Sequence, residues 1–243
     1  MEIYLKISKI DYKGNFIYFI NLFLKASERS WKSTKIPKKQ RKLVNKQLLD
    51  WKSNLPIPEF DVMFDFLVSL RLPPKSKIIE IGCSSGYYSE IIAEVDKSIE
   101  YFGVDYSLDF LRMAKEIYPK RNFFAMDINN ISIKNKSFDC VILGSVLQHI
   151  KDWKYGLRVV NQINTKTLII HRQPIAYFTK SYLSIKKSYG VFMHEWIINR
   201  EEFIHELEKY GWHLESELIV NGDPIFQEIK ANHSTTSFVF KKL

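Results

Sequence analysis

The chain has 243 residues, of which 46% are apolar and 14% aromatic, with only two cysteines. That composition excludes a disordered chain and a disulfide scaffold, and no apolar run is long enough to span a bilayer. Charge is unevenly placed: residues 1–55 hold 13 Lys/Arg against 4 Asp/Glu, whereas 56–243 hold 23 of each, so the whole excess of +9 lies near the N-terminus.

In chain order, "EIYLKISKI" alternates weakly like a strand, and "NFIYFINLFLKASERSW" reads as a short helix. Its apolar stretch Phe16–Leu24 is broken by Asn21, and no small-residue cleavage site follows, so the expectation is a cytoplasmic protein. "KSTKIPKKQRKLVNKQ" is basic and polar, and "LPIPEF" reads as a linker. The division expected is therefore a basic, aromatic extension over 1–55 and a main domain over 56–243.

From there "DVMFDFLVSL" has helical spacing and "RLPPK" stops it. Strands are expected at 77–81, 100–104, 122–125, 138–143 and 167–170, with helices at 87–95, 108–118 and 154–163 between them. "NREEFIHELEKYGW" predicts a further helix with Asn199 as N-cap, Glu202 at the capping-box position and Gly211 past its end. Late strands are expected at 212–220 and 234–242. This alternation predicts an α/β fold with a doubly wound, mainly parallel sheet, whose ligand sits at the carboxyl ends of the strands.

The chemistry concentrates in "KIIEIGCSSGYYSE", residues 77–90. A dinucleotide fingerprint starting at Gly82 needs glycines where Ser84 and Tyr87 stand, and a phosphate loop needs Lys-Ser/Thr after Gly86. What remains is acid-x-Gly-x-x-x-Gly at a strand end. Gly82 permits a sharp turn, Ser84 and Ser85 leave room above the loop, and Gly86 lets the next helix approach. Glu80 stands where a carboxylate can meet a cationic or amine-bearing ligand. "FGVDYS" ends the next strand with Asp105, 19 residues past Gly86, where a carboxylate accepts ribose hydroxyls. "FFAMDINNI" places Asp127 after a third strand, near an exocyclic amine or as a turn former. "FDCVILGSVLQHI" puts Gly144 at the fourth strand's tip.

These four pieces, from Lys77 to Ile150, resemble the class I S-adenosylmethionine-dependent methyltransferase family. The resemblance implies a Rossmann-like, seven-stranded sheet with helices on both faces, and S-adenosylmethionine as cofactor. It implies that Glu80, Gly82, Ser84 and Gly86 flank the cofactor's methionine part, and that Asp105, with Tyr106 beside it, meets the ribose. Asp127, with Met126 and Ile128, then lies by the adenine, and Gly144 belongs to the same site. The commonest family loop has a third glycine where Ser84 stands. The later segments "LIIHRQPI" and "HEWIINREEFIHELEKYGW" resemble methyltransferases of bacterial surface-polysaccharide clusters.

The resemblance implies methyl transfer, and the acceptor expected is a small molecule or glycan, methylated at oxygen, with His149 or His171 as base. His149 has an alternative as a helix-start histidine bonding a backbone carbonyl. His171 and Arg172, ending the fifth strand, face either substrate or a solvated edge. His194 and Glu195 are placed in a lid. Cys83 has no basic neighbour to activate it, and Cys140 belongs to an apolar strand, so both read as structural. No metal site is expected. The basic segment 1–50, with Phe16, Phe19, Phe23 and Trp31, reads as a solvated arm, as an anionic-membrane contact or as an RNA-binding arm. The membrane is favoured, because no RNA-binding module accompanies it. The alternatives are an RNA methyltransferase and a non-catalytic S-adenosylmethionine-binding module. "GSVLQH" lacks the Asn/Asp-Pro-Pro-aromatic tetrapeptide of nucleobase amino methylation.

Overall fold

The computed structural model describes residues 15–128, 133, 136–220 and 233–242, with side chains from residue 22 onward. The strand expected near the N-terminus lies outside the described residues, as do the side chains of Phe16 and Phe19.

Five strands, β1 (Lys77–Ile81), β2 (Glu100–Asp105), β3 (Asn122–Ala125), β4 (Cys140–Gly144) and β5 (Thr167–Ala176), run parallel in the order β3-β2-β1-β4-β5. At the far edge, β9 (His233–Lys242) lies antiparallel to β5, and β8 (Trp212–Ile219) lies antiparallel to β9. These seven strands form the expected sheet. Two more join it: β6 (Tyr182–Ser188) and β7 (Val191–Asn199) form a hairpin, and β7 pairs with β5 at Ile175 and Ala176, beyond the end of β4. The sheet therefore has nine strands among the described residues. The hairpin turns on Tyr189 and Gly190, both at positive φ, the geometry that matches strand twist.

Side-chain alternation along the parallel strands divides the core in two. Ile78, Cys140, Ile142 and Ile169 face α3 (Pro58–Leu70), α4 (Tyr88–Val95) and α5 (Leu108–Ile117). Ile79, Ile81, Val141, Leu143, Leu168 and Ile170 face α6 (Trp153–Val160) and α7 (Arg200–Glu208). Asn199 caps α7 as expected, its Oδ1 accepting the Glu202 N–H at 3.0 Å. The Glu202 carboxylate does not return to the cap: Ser181 Oγ takes the Asn199 N–H at 2.8 Å, and Glu202 holds Lys154 at 2.6 Å.

The basic segment forms α1 (Asn15–Ser30) and α2 (Lys35–Lys52). Helix α2 was hidden by its charge and its proline. Pro37 falls in the first turn, where no N–H is needed, and Pro37, Arg41, Val44 and Leu48 form one buried face. Val44 and Leu48 join the same core as Phe60 and Tyr88, so this part of the segment is built into the fold and is not a solvated arm. Among the described residues, no helix is long and apolar enough to cross a membrane.

Candidate active site

The carboxyl ends of β1, β2 and β4 open into a cavity of about 320 Å³. Gly82, Ser84, Asp105, Tyr106, Asp127, Ile128, Gly144 and His149 all line it, as does Met126. A wider, shallow groove of about 930 Å³, between α6 and the start of α7, contains none of these strand-tip residues.

The loop after β1 is held from below. Gly82 N and Cys83 N donate to Val104 O at 2.8 and 3.0 Å, and Gly82 takes φ +72°. A Cβ there would lie 2.4 Å from Val146 Cγ2, so this position must be glycine. Ser84 takes φ +52°, and its N–H donates to Asp105 Oδ2 at 2.8 Å, while Ser107 N donates to Oδ1 at 2.8 Å. Burial pushes the Asp105 carboxyl up to about 6, despite these donors. The buried carboxylate at the end of β2 is thus fixed against the loop that ends β1.

Three predicted residues are not brought to the cavity. Gly86 turns at φ +73°, and a Cβ there would lie 2.6 Å from the Phe123 ring, so it serves packing on β3. Glu80 is buried beneath the loop, accepting from the Tyr101 hydroxyl at 2.5 Å. Burial raises its carboxyl to about 8. Glu80 and Gly86 support the cradle rather than line it, which corrects their expected position beside the methionine part. His171 is fully buried, its Nδ1 bonded to Ser237 Oγ at 2.9 Å and its ring edge-on to Tyr88. Burial holds its pKa well below the ordinary range. The expectation that His171 acts as base is overturned by this position: alternation along β5 turns it into the core.

His149 does line the cavity. Its Nδ1 lies 3.0 Å from His194 O, a carbonyl that only accepts, so Nδ1 carries the proton and Nε2 the lone pair. Burial first, and the Lys186 charge second, push its pKa down to about 3. Both expected features hold together: a histidine at the cavity, and one bonding a backbone carbonyl. His194 is a buried element of β7, and Glu195 pairs with Lys186 along the hairpin, so neither is a free lid residue. Cys83 is buried with its thiol pushed up by burial, the reverse of an activated nucleophile.

The sequence did not reveal what covers the cavity. Glu28, Trp31, Gln40, Leu43, Val44 and Gln47 from α1, α2 and their connection line it, with Lys186, Ser188 and Tyr189 of the hairpin. Gln40 is hydrogen-bonded to Ser84 Oγ, and the Tyr106 hydroxyl donates to Glu28 O at 2.5 Å. Lys39 Nζ donates to Tyr189 O at 2.9 Å, joining the two covering elements.

Strand order, crossover helices and a carboxylate-anchored cradle at the strand tips define a Rossmann-like α/β fold. The comparisons with known proteins agree. Residues 79–165 match the family described as methyltransferase domain. The chain is 29% identical over 122 residues to carboxy-S-adenosyl-L-methionine synthase of Campylobacter hominis, covering 47% of this chain and 51% of that protein. A solved S-adenosylmethionine-dependent methyltransferase of Clostridium acetobutylicum superposes with TM-score 0.58 at 13% identity, covering 82% of this chain and 99% of the other. The S-adenosylmethionine-bound amino pentose methyltransferase CalS10 of Micromonospora echinaspora gives 0.53 at 10%, covering 81% and 96%. The chain spans about half or less of the length of the curated relatives it matches. Over residues 79–165 the chain thus matches a methyltransferase domain, its fold is that of solved S-adenosylmethionine-dependent methyltransferases, and S-adenosylmethionine is the cofactor these likenesses support.

Proposed function

We propose that this protein transfers a methyl group from S-adenosylmethionine to an oxygen of a small molecule or glycan unit. The observation that carries the reading is Asp105, buried at the tip of β2 and bonded to Ser84 N of the cradle loop. That carboxylate accepts ribose hydroxyls, Gly82 and Ser84 border the amino-acid part, and Asp127 with Ile128 borders the adenine. The cofactor supplies a methyl group already activated on a sulfonium. The protein's part is to enclose, orient and exclude water, which can contribute ~7–11 kcal/mol in ideal cases.

A cavity of about 320 Å³ is at the low end for ligand sites, and helices α1 and α2 cover it. That supports an acceptor of a few rings at most and disfavours a folded RNA. His149 Nε2 accepts a hydrogen bond from the acceptor hydroxyl and positions its oxygen. With a pKa near 3 it stays neutral at working pH and orients the acceptor, while the hydroxyl proton passes to solvent as the oxygen–carbon bond forms and S-adenosylhomocysteine leaves. The outer face of α2, with Lys38, Lys42 and Lys46 around exposed Leu49, supports contact with an anionic membrane surface. Vesicle sedimentation with and without anionic lipid tests that contact.

Calorimetry with S-adenosylhomocysteine, followed by tritiated methyl transfer to fractionated small molecules, tests the activity. Binding without transfer to any fraction would leave a ligand-binding module, and absence of binding would end the reading.

A further inference from the structure

Strand β5 breaks its own register. Its pairing with β9 shifts between Ile170 and Gln173, and Arg172 sits in the shift at φ +59°, a costly conformation for a residue with a Cβ. The bulge is held on both sides: Arg172 N donates to Ser237 Oγ at 3.2 Å, and its carbonyl lies 3.5 Å from Ser145 Oγ and Gln148 Nε2. His171 turns into the core, and the next side chain is carried to the cavity instead of continuing the alternation. Three other non-glycine residues at positive φ, Ser84, Ser145 and Tyr189, also line this cavity, so backbone strain gathers at one site.

Two permanent cations line the cavity, and they differ. Lys186 is ion-paired with Glu195. Arg172 lies against Tyr87 and Tyr88, and among the described residues no carboxylate comes within 4.0 Å of its guanidinium. The field of Glu59 reaches it, but without contact. A half-buried guanidinium without a carboxylate is expensive to keep, and its fork fits a carboxylate in two parallel hydrogen bonds. Sheet order gives its side of the site. The cradle runs from β3 through β2 and β1 to β4, and β5 lies one strand further, past the tip where the methyl group is delivered.

We propose that Arg172 is the acceptor-recognition residue of this cavity, and that the acceptor carries a carboxylate bound by its guanidinium. This rests on the methyl-transfer reading for what it calls the acceptor side. A carboxylated sugar or a small organic acid meets the requirement, and the carboxylate anchors the acceptor while a separate oxygen is presented for transfer.

The test titrates the S-adenosylhomocysteine complex with succinate, benzoate and glucuronate, each beside its uncharged amide, in wild type, Arg172→Gln and Arg172→Lys. At least one acid should bind at least tenfold more tightly than its amide. Arg172→Gln should abolish that preference, Arg172→Lys should keep part of it, and the affinity for S-adenosylhomocysteine should change less than threefold. Acids binding no better than amides would overturn the proposal. So would a tenfold loss of S-adenosylhomocysteine in Arg172→Gln, because the residue would then hold the cofactor's own carboxylate. If the glutamine variant does not fold, the lysine variant decides by the same comparison. Failure of the wild type to bind S-adenosylhomocysteine defeats the methyl-transfer reading instead, so the two failures are distinguishable.

Discussion

Asp105 and Ser84, 21 residues apart, meet through a 2.8 Å hydrogen bond from the serine N–H to the carboxylate Oδ2. One acid thus fixes the cradle loop, and in the proposed function its remaining lone pairs meet a ribose. Replacing it with asparagine removes the charge and should weaken S-adenosylhomocysteine binding at least tenfold, in line with ~1.5–3 kcal/mol for charged hydrogen bonds. Burial raises its carboxyl to about 6. The charged form binds, so affinity should fall as pH drops through 6, approaching tenfold per unit, and Asp105→Asn should lose that dependence. Calorimetry from pH 5 to 8 reads both effects, and an unchanged affinity in the variant removes Asp105 from the ribose.

Glu80 gives a stability prediction. Its carboxyl is raised to about 8 in the folded protein, mainly by burial, so the folded state holds a proton that the unfolded chain has released. Stability from this group is therefore highest below about pH 4.5 and falls as pH rises to about 8. His149, His171 and His194 work in the opposite sense, because their depressed values withdraw stability only below about pH 6.5. The interval from pH 7 to 8 belongs largely to Glu80. Glu80→Gln can still accept from Tyr101 and should unfold at a higher temperature than wild type at pH 8, with the gap shrinking toward pH 5. A gap that is constant with pH would mean that Glu80 does not titrate in this interval.

The cradle was legible in the sequence because each of its parts is local: a strand, a positive-φ glycine, an acid at the next strand tip. Asp105 and Gly82 lie at the tips of β2 and β1 and line the cavity. Glu80, Gly86 and His171 were misplaced because sequence gives the strand end but not the depth of a side chain. The β5 bulge shows the same limit: alternation alone buries His171 beside Tyr88, and the irregular residue Arg172 is carried to the cavity out of turn. Helix α2 was obscured by lysines at most of its outward positions and by a proline that its first turn tolerates. The β6–β7 hairpin turns on Tyr-Gly rather than the usual Asn-Gly, so no strong turn signal marked it.

His149 and His171 should now separate cleanly. His149→Ala should lower kcat with cofactor affinity kept, since the lost group is an acceptor on the cavity wall. Because its pKa lies near 3, the rate of the wild type should show no histidine limb between pH 5.5 and 7.5. His171→Ala should instead lower the melting temperature, by the equivalent of ~1–3 kcal/mol, through the loss of the Ser237 hydroxyl's bond to the imidazole and the hole beside Tyr88. A stable His171→Ala protein with abolished turnover would restore it to the chemistry.

One buried polar side chain ties α1 of the cover to β7. Ser27 of α1 accepts the His194 N–H at 2.8 Å through Oγ, which also lies 2.9 Å from His194 Nδ1; Ser27 is 3% exposed and His194 fully buried. Ser27→Ala leaves that backbone N–H without a partner, at a cost of ~1–3 kcal/mol. The loss need not unfold the sheet, because α1 meets the body chiefly along β7, so local release of α1 is the less costly response. Hydrogen exchange should therefore accelerate in 22–30 and 191–196 while β1 and β4 stay protected, and S-adenosylhomocysteine should dissociate faster. Faster exchange spread evenly over all strands would show that Ser27 supports the whole fold and not the cover alone.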